Sequence, residues 1–510
     1  PIADGIAMVE AFSHCVLFET DDGLVAFDTS NPAGGARVVE EVRRWRSDPF
    51  NTVVYTHGHV DHVGGAGAFV EDAEARGARR PRFAGHDNVA RRFDRYNLTD
   101  GYNRVINARQ FGQFMRAGYS IGGEARFLPA ATPKPDLSYA DRLDLAIGGL
   151  DVHLRHARGE TDDHTWAWIP RHKAICAGDF FIWNFPNAGN PQKAQRYPLE
   201  WAGALRDMAG QGAELFLPAH GLPIAGAARI RGVLSEVAGV LEKLVGDTLA
   251  MMNAGARLND IIHTVGVDPA ALAKPWLRPL YDEPEFVVRN IWRLYGGWYD
   301  GDPAQLKPAP ASALAAELAA LAGGALKLAE RARMLSETEP RLACHLAELA
   351  AQAAPDEARV HRIRAEVYQR RRDAENLADG QGGLRLGRER IPVAGRRLSA
   401  ARRIEVNTQR GDLAAQALDV IGAGHWTAAV LGVLADEKAG QGGRHISEYA
   451  DRIDRQEESQ HPPCRGDRPI GRADGGHQHC RPPERVAIAG EAACGANRRV
   501  GLEPLHAGGA

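Results

Sequence analysis

Thr56-His57-Gly58-His59-Val60-Asp61-His62-Val63-Gly64-Gly65 places three imidazoles and a carboxylate directly after the β-branched run Thr52-Val53-Val54-Tyr55-Thr56. A lone His is ordinarily a surface or core residue; three with an Asp at this spacing, at the end of an apolar strand, point to metal. His57 and His59, two apart on a strand end or tight loop, project to the same side and can chelate one ion. Asp61 and His62, one turn further on, can reach a second. Gly58, Gly64 and Gly65 let the backbone bend closely around the site, and the strand gives the ligands a rigid support.

Outward from this segment, Ile6 to Ile224 reads as mixed α/β: short β-rich runs separated by Gly, Pro, Asn and Asp, with helices between some of them. Ala7-Phe12, Cys15-Thr20 and Leu24-Asp28 read as meandering strands, the last two joined by the Asp22-Gly23 turn signal, and Val38 to Trp45 as a helix. A dinuclear site needs further donors, and they stand where later strands end. Glu160 follows Gly159 after the strand Leu150-Arg155, a credible oxygen ligand. Asp179 ends the run Ala174-Ile175-Cys176-Ala177-Gly178, where a carboxylate can bridge two cations. His220 ends Leu215-Phe216-Leu217-Pro218-Ala219. His164 reads as a ligand, a partner of one or, with more weight, a surface His. Asp162 and Asp163 orient ligands or cap a turn, and His14 and His86 are structural or line the pocket. Asn184 to Tyr197 is too long a polar loop to be mere connection; Asn184, Gln192, Lys193, Arg196 and Tyr197 are its candidate substrate contacts. Arg91 to Asn97 and Tyr102-Asn103-Arg104 form either a substrate cap or a solvated helix face.

After Pro223 the texture changes to long amphipathic helices: Ala227 to Asn253, Glu285 to Tyr299, then an Ala/Leu-rich series with segments Ser312 to Leu335, Arg341 to Ala351 and Glu357 to Arg372. These suggest stacked helix pairs without a strict repeat motif. Past about Asn376, Gly, Arg, Pro and His accumulate and Trp426 and Tyr449 are the only aromatic residues, too few for a packed core. The expected division is 1-226 catalytic, 227-376 helical, and 377-510 an atypical, largely disordered tail whose composition resembles a coding sequence read in a shifted frame. A net charge of -3 gives no basic surplus for nucleic acid or an anionic membrane. Six scattered Cys without CxxC pairs fit a reducing compartment. With no signal-peptide pattern and no apolar stretch of transmembrane length, a cytoplasmic protein is expected.

The Thr56 to Gly65 segment, Gly159-Glu160, Gly178-Asp179 and Pro218-Ala219-His220-Gly221 together resemble, in order and spacing, the metallo-β-lactamase superfamily. Glu at position 160, where most of that superfamily has His, resembles the alkyl sulfatase branch, and Tyr281 to Gly301 looks like the alkyl sulfatase dimerisation domain. The resemblance implies an αββα sandwich followed by an all-α helical, repeat-like domain that makes a homodimer. The branch's further sterol-carrier-like domain is not recognisable in the tail. By the same resemblance His57, His59 and Glu160 hold one ion, Asp61, His62 and His220 the other, and Asp179 bridges them, with Asp61 and Asp179 the catalytic carboxylates. Two zinc ions per chain are expected, with Mn or Fe as alternatives on ligand type. The implied activity is hydrolysis of an alkyl sulfate or related small ester with an apolar tail by metal-activated hydroxide. A lactone, β-lactam or phosphoester hydrolase and a non-catalytic dimeric protein are the competing readings. The branch places a sulfate-binding Arg near the Asn184 to Tyr197 loop; here the nearest positions are Gln192 and Lys193, with Arg196 further on.

Overall fold

Alternation along the N-terminal strands runs between two cores rather than between core and water. Cys15 and Leu17 enter one apolar cluster while Val16 and Phe18 enter another, and Val53 and Val54 divide in the same way. Strands buried on both faces belong to the inner layers of a multilayer fold. The computed structural model describes residues 1–115, 121–123 and 126–375; the expected tail at 377-510 lies outside the described residues.

Among the described residues, two six-stranded sheets face one another. The first runs in the order β1 (Ile6–Val9), β2 (Cys15–Thr20), β3 (Gly23–Phe27), β4 (Phe50–Val54), β5 (Arg82–His86), β6 (Leu137–Tyr139). Its first pairings are antiparallel, and those from β3 to β6 are parallel. The second runs β12 (Ile224–Ala225), β11 (Leu215–Pro218), β10 (Ala174–Gly178), β9 (Thr165–Ile169), β8 (Leu150–His156), β7 (Arg142–Ile147), with β10 and β11 its parallel pair. Between the sheets lie Phe18, Phe27, Val54, Leu150, Val152, Leu154 and Cys176.

On the outer face of the first sheet, Val38, Val42, Phe69, Val89 and Phe93 come from the helices Gly35–Trp45, Ala66–Ala75 and Asp87–Leu98. On the outer face of the second, Trp201, Leu205, Leu234, Leu241 and Ile291 come from Pro198–Gly210, Ala227–Asn253 and Pro284–Tyr295. The layers are therefore helix, sheet, sheet, helix, the αββα order.

Beyond the sandwich the described chain is helical. The segment Ser312 to Leu335, read as part of a series of stacked helix pairs, holds two helices, Ala311–Leu321 and Ala325–Leu335, bent by 86°. Gly323 and Gly324 both take positive φ, 81° and 119°, which an L side chain rarely adopts, and this breaks the helix. The second of these helices packs with Pro340–Ala353 and Ala358–Asp373 around Ala329, Ala332, Ala343, Ala347, Ala350 and Ile363. Small side chains on the facing stripes let these helices pack closely.

Candidate metal centre

Parallel neighbours deliver their C-terminal ends to one edge of a sheet, and each sheet supplies such a pair. β3 and β4 end at Asp28 and at the Thr56 to His62 segment. β10 and β11, with Gly178 opposite Pro218, end at Asp179 and His220. Glu160 comes from the loop between β8 and β9. The seven residues singled out in the sequence fall into two adjacent groups: His57, His59, Glu160 and Asp179, then Asp61, His62 and His220. Within each group one donor atom per residue lies within 4.8 Å of every other.

Asp179 faces both groups. Its Oδ2 lies 3.9 Å from His57 Nε2, and its Oδ1 lies 3.4 Å from His62 Nε2 and 3.5 Å from His220 Nε2. Two donors each about 2.1 Å from one ion at the tetrahedral angle stand about 3.4 Å apart, so these spacings suit donors around a cation. They are too long for good hydrogen bonds. His62 Nε2, Glu160 Oε2 and Asp179 Oδ1 are buried with no hydrogen-bond partner, a costly arrangement unless something else satisfies them. The donor set and its unsatisfied atoms fit divalent cations.

The electrostatics of the metal-free chain divide the donors into groups ready to ligate and groups that hold a proton. Burial, followed by His62, His164 and His59, pushes His57 well below the usual imidazole range; burial, Arg196 and Arg92 do the same to His59. Both are neutral imidazoles with lone pairs to offer. Burial also acts on His62, but Asp179, Asp28 and Asp61 outweigh it and hold the ring well above that range. His220 is raised too, because Asp179 and Asp61 outweigh its burial. Burial lifts Glu160 well above the usual carboxylate range, against Arg196 and with Asp179 adding to the rise. Asp179 goes the other way, because His62 and His220 overcome its burial. His57 and His62 are fully buried, whereas the side chains of His59, Asp61 and His220 keep 16%, 17% and 19% exposure. These three mark the side from which a small molecule can approach.

A surrounding shell fixes the donors. Asp28, at φ 60°, pairs with His62 Nδ1 at 2.8 Å and accepts from Thr56 N and Oγ1. The Thr29 hydroxyl donates to the His62 carbonyl at 2.8 Å, and the Ser13 hydroxyl donates to that of Asp61. Asn187 Nδ2 donates to Glu160 Oε1. Gly64 and Gly65 act by close approach: a Cβ would fall 2.5 Å from Pro32 Cδ at Gly64 and 2.1 Å from the Thr29 carbonyl oxygen at Gly65.

Several individual expectations change. His164, weighted toward a surface role, is fully buried; its Nε2 accepts from Asp179 N at 3.1 Å and its ring stacks on Phe180. Arg92, in the segment read as a substrate cap or a solvated face, is buried and paired with Asp162 and Asp163. Among the candidate substrate contacts, Arg196 is buried with its guanidinium on Glu160, 3.2 Å from Oε1. Tyr197 donates its N–H to the Gly159 carbonyl. Lys193 Nζ donates to Asn107 Oδ1 at 2.8 Å, the Gln192 N–H donates to Asn190 Oδ1, and Asn184 is half-buried. Sequence reasoning misses Asp28 and Asn187 as parts of the site. Asp28 carries a readable signal, a carboxylate at the end of an apolar strand, the same device as Asp179.

Comparison with known proteins identifies two matched regions of the chain. Residues 9–220 match the model of the metallo-beta-lactamase superfamily, and residues 257–381 match that of alkyl sulfatase dimerisation. A linear primary-alkylsulfatase of Pseudomonas sp. is 27% identical over 332 residues, 60% of this chain and 60% of the relative. An alkyl/aryl-sulfatase of Saccharomyces cerevisiae is 24% identical over 348 residues, 65% of this chain and 54% of the relative. The chain thus spans 60% and 54% of the length of these two curated relatives. The solved structure of the stereoselective inverting sec-alkylsulfatase Pisa1 from Pseudomonas sp. superposes with a TM-score of 0.66 at 21% identity, covering 77% of this chain and 66% of that one.

Proposed function

We propose, for a chain that carries a metallo-β-lactamase superfamily domain over residues 9–220 and an alkyl sulfatase dimerisation region over 257–381, that it is a metal-dependent hydrolase of alkyl sulfates or related small esters. The observation that carries the reading is the pair of donor groups with Asp179 facing both. In this reading His57, His59 and Glu160 hold one ion, Asp61, His62 and His220 hold the other, and Asp179 bridges. Two bound zinc ions, or Mn or Fe on the same donors, would supply a hydroxide near neutral pH and stabilise negative charge on the ester.

The chain's own residues do the rest. Asp28 holds the His62 ring through Nδ1, leaving Nε2 to face the centre. Arg196 and Asn187 fix the Glu160 carboxylate. The exposed edges of His59, Asp61 and His220 admit the substrate. The free thiols of Cys15, Cys176 and Cys344 suit a reducing, cytoplasmic setting. The homodimer is part of the same proposal.

Sulfate release from dodecyl sulfate by metal-loaded protein, lost in His57→Ala and Asp179→Ala, is the expected result. One observation favours a neighbouring chemistry: Arg196 is committed to Glu160, so its guanidinium fork is not offered to a sulfate. Turnover of phosphate esters, lactones or β-lactams alone would replace the sulfate assignment with that reading.

A further inference from the structure

Gly58 separates His57 from His59, and its N–H donates to Asp163 Oδ2 at 3.0 Å. The same oxygen accepts from Arg92 Nε at 2.8 Å, and Arg92 Nη2 reaches Asp162. Arg92 stands on the helix Asp87–Leu98, while Asp163 lies three residues after Glu160 in the loop between β8 and β9. Both members of the Arg92–Asp163 pair are buried. A Cβ at Gly58 would lie 2.8 Å from Arg92 Cδ and 2.8 Å from Asp163 Oδ2, so the close approach of helix, loop and carboxylate depends on glycine there.

One carboxylate therefore joins the two chain segments that supply His57, His59 and Glu160. We propose that Asp163, held by Arg92, is a positioning residue that sets the geometry of this first donor group and ties it to the seating of the Asp87–Leu98 helix. In the second group His62 is held by other partners, Asp28 at Nδ1 and Thr29 at its carbonyl, and Thr56 Oγ1, which donates to Asp28, also lies 3.2 Å from His57 Nδ1. The proposal rests on the metal reading above and is independent of which ester is cleaved.

Cobalt(II) titration of the metal-free full chain, followed by its visible absorption, tests it. Asp163→Asn is expected to weaken one cobalt site by about 10- to 100-fold, the range for losing a group that orients a ligand, and to leave the other unchanged. In a His59→Ala background, where the first group is already broken, Asp163→Asn should change nothing further. In a His220→Ala background it should weaken the remaining site. Equal weakening of both sites, or none in a folded variant, overturns the proposal. Should Asp163→Asn fail to fold, Arg92→Lys, which keeps the charge but loses the fork, must show a smaller loss at the same site; no loss there is equally contrary. A wild-type chain that takes up no cobalt overturns both this proposal and the metal reading, whereas cobalt uptake without sulfate release counts only against the sulfate assignment.

Discussion

His62 and His220 are held above the ordinary imidazole range by the carboxylates around them, so in the metal-free chain each keeps a proton that a cation must displace. Metal affinity should therefore rise with pH as those protons leave, and binding should release protons. Zinc titrations between about pH 5.5 and 8, in buffers of different ionisation enthalpy, would show both effects; pH-independent affinity would contradict the assignment of these rings as donors. The donors are legible in the sequence because four of them cluster from His57 to His62 just after an apolar strand, while Glu160, Asp179 and His220 each end a strand or follow a glycine. Arg92 and Asp163 are not, since their contact spans 71 positions and neither sits in a local pattern that reports its partner. His164 escapes sequence reading for a related reason: its burial comes from Phe180 and from the Asp179 N–H, which spacing alone does not bring together.

At the scale of elements, the helix Pro198–Gly210 supports the turn that carries Asp179. Trp201 is fully buried, donates Nε1–H to the Phe180 carbonyl at 2.9 Å and packs edge-on against the Phe180 ring, which in turn stacks on His164. Trp201→Ala should cost about 3–5 kcal/mol, measurable by urea unfolding, and should weaken metal binding as well; a loss below about 1 kcal/mol would show that the site can collapse around the missing ring. Glu283 begins the helix Pro284–Tyr295. Burial, then Glu375 and Glu285, raises its carboxyl from 4.5 to about 7. The folded chain thus binds a proton that the unfolded chain has lost between those values, so this group's contribution favours folding at low pH and fades as pH rises through about 7. Glu283→Gln should gain stability relative to wild type at about pH 8 and match it near about pH 4.5; a constant difference across pH would contradict the shift. The long helix Ala227–Asn253 is readable from its periodicity, and the break at Gly323-Gly324 from the glycine pair that interrupts an otherwise helix-favouring Ala/Leu-rich run, whereas the 86° bend at that break is set by how the two helices pack.

For the whole molecule, the exposed large apolar side chains include a group in the helical region. Leu314, Leu318 and Leu321 form an i, i+4, i+7 stripe on one helix, and Trp298 and Met334 are each 71% exposed. Among the described residues no single helix is long and apolar enough to cross a membrane. The homodimer proposed above would use this stripe as its self-associating face: light scattering should then give twice the chain mass, and replacing Leu314, Leu318 and Leu321 together with Glu should reduce it to one. An unchanged mass would place the interface elsewhere. The layered order of the sandwich follows from the resemblance that the His cluster introduces, while the pairing order within each sheet depends on contacts too distant for strand patterns to specify. The central claim is that this fold brings seven donors together to hold two cations. Elemental analysis of purified chain after metal loading tests it most directly: the account predicts about two divalent ions per chain, falling sharply in Asp179→Ala, and fewer than about one per wild-type chain would contradict it.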